Sequence, residues 1–284
     1  MTERVDEANA PVVAGGVRAP RPPGPLRALV TGGSSGLGAA LCRALIARGD
    51  QVVSADVILP AEPVDGVGYL TLDVRSDQDW SDAVAWVDRE WGGLDVLFNN
   101  AGVAGGGRVD VAGMDEWQWI TEINLFGVVR GTKAFVPMMK RQRSGLIVNT
   151  ASLAGIVHPA GMGSYNAVKA AVVAFTETIG HELADHGIRA AVVCPSYFRT
   201  GLVEHMQGSD TAVGAVIGAL VANAPLGPDE IAAEVLAALD RGEELILPDD
   251  DARAAYGLKV GDRAAYDEVM RKQAARLDAL GGPA

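Results

Sequence analysis

The sequence predicts a doubly wound α/β fold, a parallel sheet between two layers of helices. Two observations point to it. Short runs rich in β-branched residues alternate with helical stretches over residues 26–247, the pattern of strands joined by crossover helices. Hydrophobic residues make up 49% of the chain and aromatics only 5%, with 35 glycines. The core is therefore built from Ala, Val, Leu and Ile, which suits a sheet buried on both faces under closely packed helices. At 284 residues the chain lies at the upper edge of one large domain.

In chain order, the first strand is predicted over residues 27–31 and its helix over 37–48. Strands follow at 51–55 and 68–72, a helix at 77–91 and a fourth strand at 94–99. One long helix is predicted over 117–141, then a strand at 146–150, a helix at 164–186 and a strand at 189–194. A helix at 228–240 and a strand at 244–247 complete the alternation. Three segments fall outside it. Residues 1–25 are predicted to be a disordered tail, because Pro11, Pro20, Pro22, Pro23 and Pro25 break any regular element and little there can be buried. Residues 201–226 form a partly apolar insertion after the sixth strand. Residues 249–284 open on an acidic turn, Asp249-Asp250-Asp251, and finish in an amphipathic stretch near 263–280, which packs on the body or forms a subunit contact.

The formal net charge of −12 argues against nucleic acid or an anionic membrane surface as a partner. Cys42 and Cys194 lie far apart in apolar contexts and read as structural thiols of a reducing compartment. No apolar run approaches the roughly 20 residues of a membrane span. The N-terminus, with Arg4, Asp6 and Glu7, lacks the apolar centre of a secretion signal, so cytoplasmic residence is expected. His181, His186 and His205 show no metal spacing, and no metal site is expected. Trp80, Trp86, Trp91, Trp117 and Trp119 fall in predicted helices and read as core or interface.

Several constellations carry chemistry. The run Thr31-Gly32-Gly33-Ser34-Ser35-Gly36-Leu37-Gly38 follows the first strand and opens the first helix. Glycines there allow a tight turn and let backbone amides approach a phosphate, and the helix N-terminus adds partial positive charge. Its spacing is Gly-x-x-x-Gly-x-Gly, and its strand-then-helix setting identifies a pyrophosphate turn contacting through Thr31, Gly32, Ser34, Ser35, Gly36, Leu37 and Gly38. Asp56 ends the second strand, 18 residues after Gly38. A carboxylate there can accept hydrogen bonds from both hydroxyls of an adenosine ribose and would repel a 2′-phosphate. Val57 follows it and Ser35 precedes Gly36, so no Arg or Lys stands ready for NADP, and NAD(H) is the expected cofactor. The alternative is a solvent-facing strand-end carboxylate. Asp73 and Val74 follow the third strand, where a carboxylate and an amide could meet the adenine. Asn99, Asn100, Ala101 and Gly102 follow the fourth, where small residues would let a cofactor lie across the strand ends and amides could tie strands together.

Tyr165 and Lys169 are four residues apart, and Ser152 lies thirteen residues upstream of Tyr165. On a helix such a pair shares a face. An ammonium beside a phenol lowers the tyrosine pKa from about 10. A phenol so tuned can exchange a proton near neutral pH, as interconversion of an alcohol and a ketone requires. Alone, Tyr-x-x-x-Lys is a weak signal.

Taken in order, Thr31 to Gly38, Asp73, Asn99 to Gly102, Asn124, Ser152, Tyr165, Lys169 and Pro195 resemble the motifs of the short-chain dehydrogenase/reductase family, in its single-domain, NAD-preferring form. The resemblance implies a Rossmann-type doubly wound parallel sheet in three layers, with strand order 3-2-1-4-5-6-7. It divides the chain into the tail, a catalytic domain over 26–248 with a substrate lid at about 201–226, and a C-terminal helical extension over 249–284. It implies that Tyr165 is the general acid/base, that Lys169 lowers its pKa and bonds the nicotinamide ribose, and that Ser152 polarises the substrate oxygen. Asn124 would hold a water linking Lys169 to solvent, or else stabilise a local helix kink. Pro195 and Thr200 would adjoin the nicotinamide carboxamide. Ser196 departs from the family, which has glycine after that proline. The substrate is expected near Ser152, His158, Tyr165, Ser196 and Met206; His158 could equally be a solvated loop histidine. The lid would present Leu202, Val203, Met206, Val213 and Val216. A homotetramer or homodimer is implied, pairing through the helices that hold Asn124 and Tyr165, with the small face Ala167, Ala170, Ala171 and Ala174. The expected function is NAD(H)-dependent interconversion of a secondary alcohol and a ketone. The alternatives are an NADPH-dependent 3-oxoacyl-thioester reductase, which Asp56 opposes, and a non-catalytic dinucleotide-sensing regulator.

Overall fold

A computed structural model describes residues 24–202 and 206–281. The expected tail up to residue 23, and Val203 and His205 of the lid region, lie outside the described residues. The strands are β1 (Arg27–Thr31), β2 (Gln51–Asp56), β3 (Val67–Thr71), β4 (Val96–Asn99), β5 (Gly145–Thr150), β6 (Ile188–Val193) and β7 (Leu245–Ile246). All pair in parallel, in the order β3-β2-β1-β4-β5-β6-β7. This is the expected doubly wound, Rossmann-type sheet.

Strand residues alternate between two cores because successive side chains point to opposite faces. Ala28 and Val30 of β1 pack with helix α1 (Gly36–Ala47) and helix α8 (Pro228–Arg241), through Leu41, Leu45, Ile231 and Val235. Leu29 points the other way. It joins Trp80 of α2 (Asp77–Trp91), Phe135 of α4 (Gly127–Gln142) and Ile179 of α6 (Gly163–Leu183). Both layers are therefore dictated by the period-two pattern of β-strands meeting the apolar stripes of helices.

The single long helix expected over 117–141 is interrupted. The chain forms α3 (Met114–Thr121), a π turn (Glu122–Phe126), then α4. The cause lies in Asn124, which is fully buried inside the turn. Its Nδ2 donates to the Val103 carbonyl at 2.9 Å and its Oδ1 accepts from the Val103 amide at 2.8 Å. Swallowing this amide pulls the backbone into a wider turn, with the Gly127 amide bonded to the Glu122 carbonyl.

Between β5 and α6 lies the single turn α5 (Ala154–Val157), and within 201–226 lies α7 (Thr211–Ala222). The acidic run at 249–251 is no simple turn. Asp249 caps helix α9 (Asp250–Gly261) by accepting from the Ala252 amide at 2.8 Å, and Asp250 and Asp251 fill its first turn, where the helix dipole favours negative charge. The extension ends in α10 (Arg263–Gly281). Its Leu277 is buried against Val213, Ile217 and Val221 of α7, and Tyr266 packs with Val172 and Cys194, so the extension folds onto the body. Among the described residues no helix is long and apolar enough to cross a membrane, and no group of His, Cys, Asp and Glu is arranged to hold a metal.

Asp249 also accepts from the Ser196 amide at 2.9 Å while only 4% exposed, so one carboxylate joins the extension to the loop after β6. Asp249→Ala leaves both amides without it and is expected to lower stability by about 1–3 kcal/mol in urea denaturation. Faster proteolysis within residues 250–262 should accompany the loss; an unchanged midpoint and cleavage rate would refute this role.

Candidate active site

The glycine turn leaves β1 with Gly32 at φ +64° and Gly36 at φ +50°, conformations that favour glycine. A Cβ on Gly38 would stand 2.1 Å from the Gly32 carbonyl oxygen, so only glycine lets α1 start this close to the turn. A Cβ on Gly36 would stand 2.9 Å from Thr200 Oγ1, which places the loop after β6 directly across from the turn. Ser35 is the N-cap residue of α1 without a side-chain cap, and no acidic residue occupies the first helical turn. Ser34 Oγ is buried with no partner. Asp56 Oδ2 accepts from the Ser34 amide at 3.1 Å. An orphaned hydroxyl, an uncapped helix start and the space kept by missing Cβ atoms fit a pyrophosphate. The residues after Asp56 are apolar and exposed: Val57, Ile58 and Leu59.

Strand ends carry a connected polar chain. Thr31 Oγ1 donates to the Phe98 carbonyl and accepts from the amides of Asn100 and Ala101 at 2.9 and 3.0 Å. Asn100 Nδ2 donates to the Thr31 carbonyl, and its Oδ1 accepts from Thr150 Oγ1 at 3.2 Å. The Thr150 carbonyl then accepts from Lys169 Nζ at 2.9 Å. Asn99 serves structure: its Nδ2 donates to Thr132 Oγ1 and Asn149 Oδ1, and Asn149 donates to Thr176 Oγ1 of α6. At the end of β3, Arg75 binds the Asp73 carboxylate through Nε and through Nη2 at 2.6 Å, and holds it below the usual carboxylate range. The expected adenine contact through this carboxylate meets a group already paired; the Arg75 partner went unread in the sequence. Val74 is buried against Gly127.

Ser152, Tyr165 and Lys169 converge between β5, β6 and α6. Lys169 Nζ lies 5.7 Å from the Tyr165 ring centre, and a Cβ on Gly102 would stand 3.6 Å from that Nζ and 3.1 Å from Asn124 Oδ1. Gly102 therefore lets Asn124 and Lys169 approach each other, and the Asn124 side chain is used in holding Val103. Ser152 Oγ accepts from the Ala154 amide at 3.1 Å, and Leu153 N–H donates to the Pro195 carbonyl at 2.9 Å, so the reacting loop and Pro195 are tied together. Electrostatics here differ from the expectation of a phenol lowered by lysine. Burial pushes Tyr165 up to about 12, with the Ser152 hydroxyl pulling the other way. Burial likewise pushes Lys169 down to about 8. Both charged forms lose water, and the ammonium spends its hydrogen bond on the Thr150 carbonyl.

Of the expected substrate residues, Ser152, Tyr165, Ser196 and Met206 lie in this region; Met206 packs with the Tyr165 cluster. His158 turns away. Its Nδ1 accepts from Lys259 Nζ of α9 at 2.9 Å and its Nε2 donates to the Gly155 carbonyl at 3.2 Å, so the ring is spent on docking the extension. Two further residues escaped sequence reasoning. Tyr197 packs in the Tyr165 cluster with its hydroxyl on Met162 Sδ at 3.6 Å; the signal available was an aromatic two residues after Pro195. Asp210, buried, caps α7 and pairs with Arg108 at 2.8 Å, clamping the lid helix to the loop after β4.

A family model of short chain dehydrogenases matches residues 27–210. The chain belongs to the short-chain dehydrogenase family. It is therefore an oxidoreductase by family. It is 36% identical over 183 residues to a 3-alpha-(or 20-beta)-hydroxysteroid dehydrogenase of Mycobacterium tuberculosis, covering 62% of this chain and 70% of that protein. A short-chain dehydrogenase/reductase from Burkholderia phymatum, solved in complex with NAD, superposes with a TM-score of 0.76 at 28% identity, over 85% of this chain and 95% of that one. Another from Burkholderia cenocepacia, in complex with NADP, gives 0.74 at 25% identity, over 87% and 97%. The family match stops at residue 210, so α7 to α10 all lie beyond it.

Proposed function

We propose that this short-chain dehydrogenase interconverts a secondary alcohol and a ketone with NAD(H) as cofactor. The observation that carries the cofactor choice is Asp56. Its carboxylate stands beside the Ser34 amide at the glycine turn, and the exposed residues after it are Val57, Ile58 and Leu59. A 2′-phosphate would meet a carboxylate with no basic residue among those neighbours, whereas ribose hydroxyls would find an acceptor. The glycine turn, Ser34 and α1 would hold the pyrophosphate, and Lys169 and Thr200 would face the nicotinamide end. When bound, the cofactor supplies or accepts the hydride.

The chain's own residues manage the proton. Ser152 Oγ orients and polarises the substrate oxygen. Tyr165 gives its phenolic proton to that oxygen in reduction and takes it back in oxidation. Lys169, joined to Thr150 and through it to Asn100 and Thr31, keeps positive charge beside the phenol and couples it to the cofactor turn. Burial, which raises the phenol, keeps Tyr165 protonated at neutral pH and so loaded for reduction. The free, buried Cys42 and Cys194, both pushed up to about 12 by burial, support a reducing compartment, the cytoplasm. Exposed Phe126, with Arg130 over its ring, and the exposed Ala167 and Ala174 support assembly through α4 and α6 into a homotetramer or homodimer.

Fluorescence titration should show NADH binding at least about tenfold tighter than NADPH, with Asp56→Asn narrowing the gap. Tighter NADPH binding by the wild-type protein would overturn the cofactor assignment.

The raised phenol also dictates a pH dependence. Oxidation needs Tyr165 deprotonated, so its kcat/KM should climb steadily from pH 7 to 10; reduction should be flat at neutral pH and decline once Lys169 loses its proton above about 8. Tyr165→Phe should lower kcat by about 10²- to 10⁴-fold and leave NADH affinity intact. A flat oxidation profile, or turnover that survives this substitution, would count against Tyr165 as the acid/base.

A further inference from the structure

We propose that a cleft between α7 and α9 is the part of the substrate site that receives a long apolar substituent, and that Tyr197 is the specificity-determining partition between this cleft and the reacting centre. The inference rests on the reading of Ser152, Tyr165 and Lys169 as that centre. The substrate class it names is a secondary alcohol or ketone carrying an extended apolar group on one side.

The cleft is an open groove of about 820 Å³. Its base is Leu153, the residue after Ser152, together with Tyr197, two residues after Pro195. Its walls are Val216 and Ala219 of α7 and Ala254 and Ala255 of α9. The polar residues Asn223 and Asp251 sit at exposed positions, so the interior is apolar. Leu220 and Leu258, 42% and 38% exposed, face solvent at the mouth from the two helices.

Continuity with the reacting centre runs through Tyr197. Its ring lines the cleft, and the same side chain packs with Tyr165, Met162 and Ile217. Among the described residues its hydroxyl bonds Met162 Sδ, at 3.6 Å. A thioether is a weak acceptor and methionine a pliable neighbour, so a shift of the ring costs little. The far wall, by contrast, is anchored. Asp249 at the start of α9 holds the Ser196 amide, and Lys259 near its end holds the Ile156 carbonyl and His158. Both tethers land on the segments after β5 and β6, which carry Ser152 and Pro195. The wall is therefore set relative to the reacting atoms, with a soft partition in front of it. One wall, α9, belongs to the C-terminal extension, and the other, α7, to the segment between β6 and α8.

The test uses the full-length protein with NAD and a series from 2-butanol through 2-hexanol to 2-decanol. For the wild type, each methylene that enters the cleft should raise kcat/KM by about three- to fourfold until the cleft is full. Ala219 and Ala254 are exposed on facing helices, so Ala219→Trp and Ala254→Trp fill the cleft without disturbing the core. Each should lower kcat/KM for 2-decanol by at least about tenfold and leave 2-butanol within about twofold. Tyr197→Ala should improve 2-decanol relative to 2-butanol. Calorimetric titration with 2-decanol checks the cleft apart from turnover: the wild type should bind and Ala254→Trp should bind at least about tenfold more weakly. Turnover without dependence on chain length, equal losses on both alcohols, or a change of sedimentation in place of a change in the alcohol ratio (a second copy filling the cleft) overturns the proposal. Absence of turnover on every alcohol, with 2-decanol binding that Ala254→Trp abolishes, supports the cleft and refutes the secondary-alcohol reading of the centre beside it.

Discussion

The strand ends of β1, β4 and β5 carry donors and acceptors that the protein pairs with one another. The solution is the chain of bonds from Thr31 through Asn100 and Thr150 to Lys169. An unpaired buried polar group costs about 1–3 kcal/mol, so each member holds the next in place. The consequence is functional. The residue that ends the strand before the glycine turn and the lysine beside the candidate acid/base belong to one network. Beside it, Asn99, Asn149 and Thr176 bind the same strand ends to α6, the helix that carries Tyr165. These two sets of bonds tie the strand ends to each other and to α6.

Burial also decides the chemistry of that site. A lysine four residues from a tyrosine suggests mutual tuning, but the larger effect is desolvation of both groups. It raises the phenol and lowers the ammonium, which favours the neutral form of each. The protein thus sets a protonated phenol beside a lysine whose charge is held at some cost. The π turn belongs to the same design. It buries Asn124 where the side chain holds Val103, and Gly102 leaves room for Lys169 behind it.

The C-terminal extension ties remote chemistry to local packing. Asp249, His158 and Lys259 are polar residues that could have faced a substrate, and each instead fastens α9 to a loop at the reacting centre. Leu277 of α10 then packs on the lid helix. Arg108 and Asp210 clamp the start of that same helix from the other side. Helix α7 is consequently fixed at its N-terminal end and along one face, and its remaining face borders the cleft.

The sequence by itself determined the sheet, its order through the family's ordered motifs, and the residues gathered at the strand ends. Period-two apolar runs, glycines at forced turns and the Ser-Tyr-Lys spacing are local signals with a local physical cause. It did not determine the break in the 117–141 helix, which depends on Asn124 meeting Val103 across 21 residues. Nor did it determine the pairing of Asp73 with Arg75, because that contact depends on how the chain bends after β3. The destination of His158 was open because its partner Lys259 lies 101 residues away. Tyr197 carried no motif at all; it acquires a role only where α7 and α9 close on either side of it. Spacing along the chain specifies which groups can share a face of one element. Which groups lose water, and which partner they then find, is decided only when separate elements pack together.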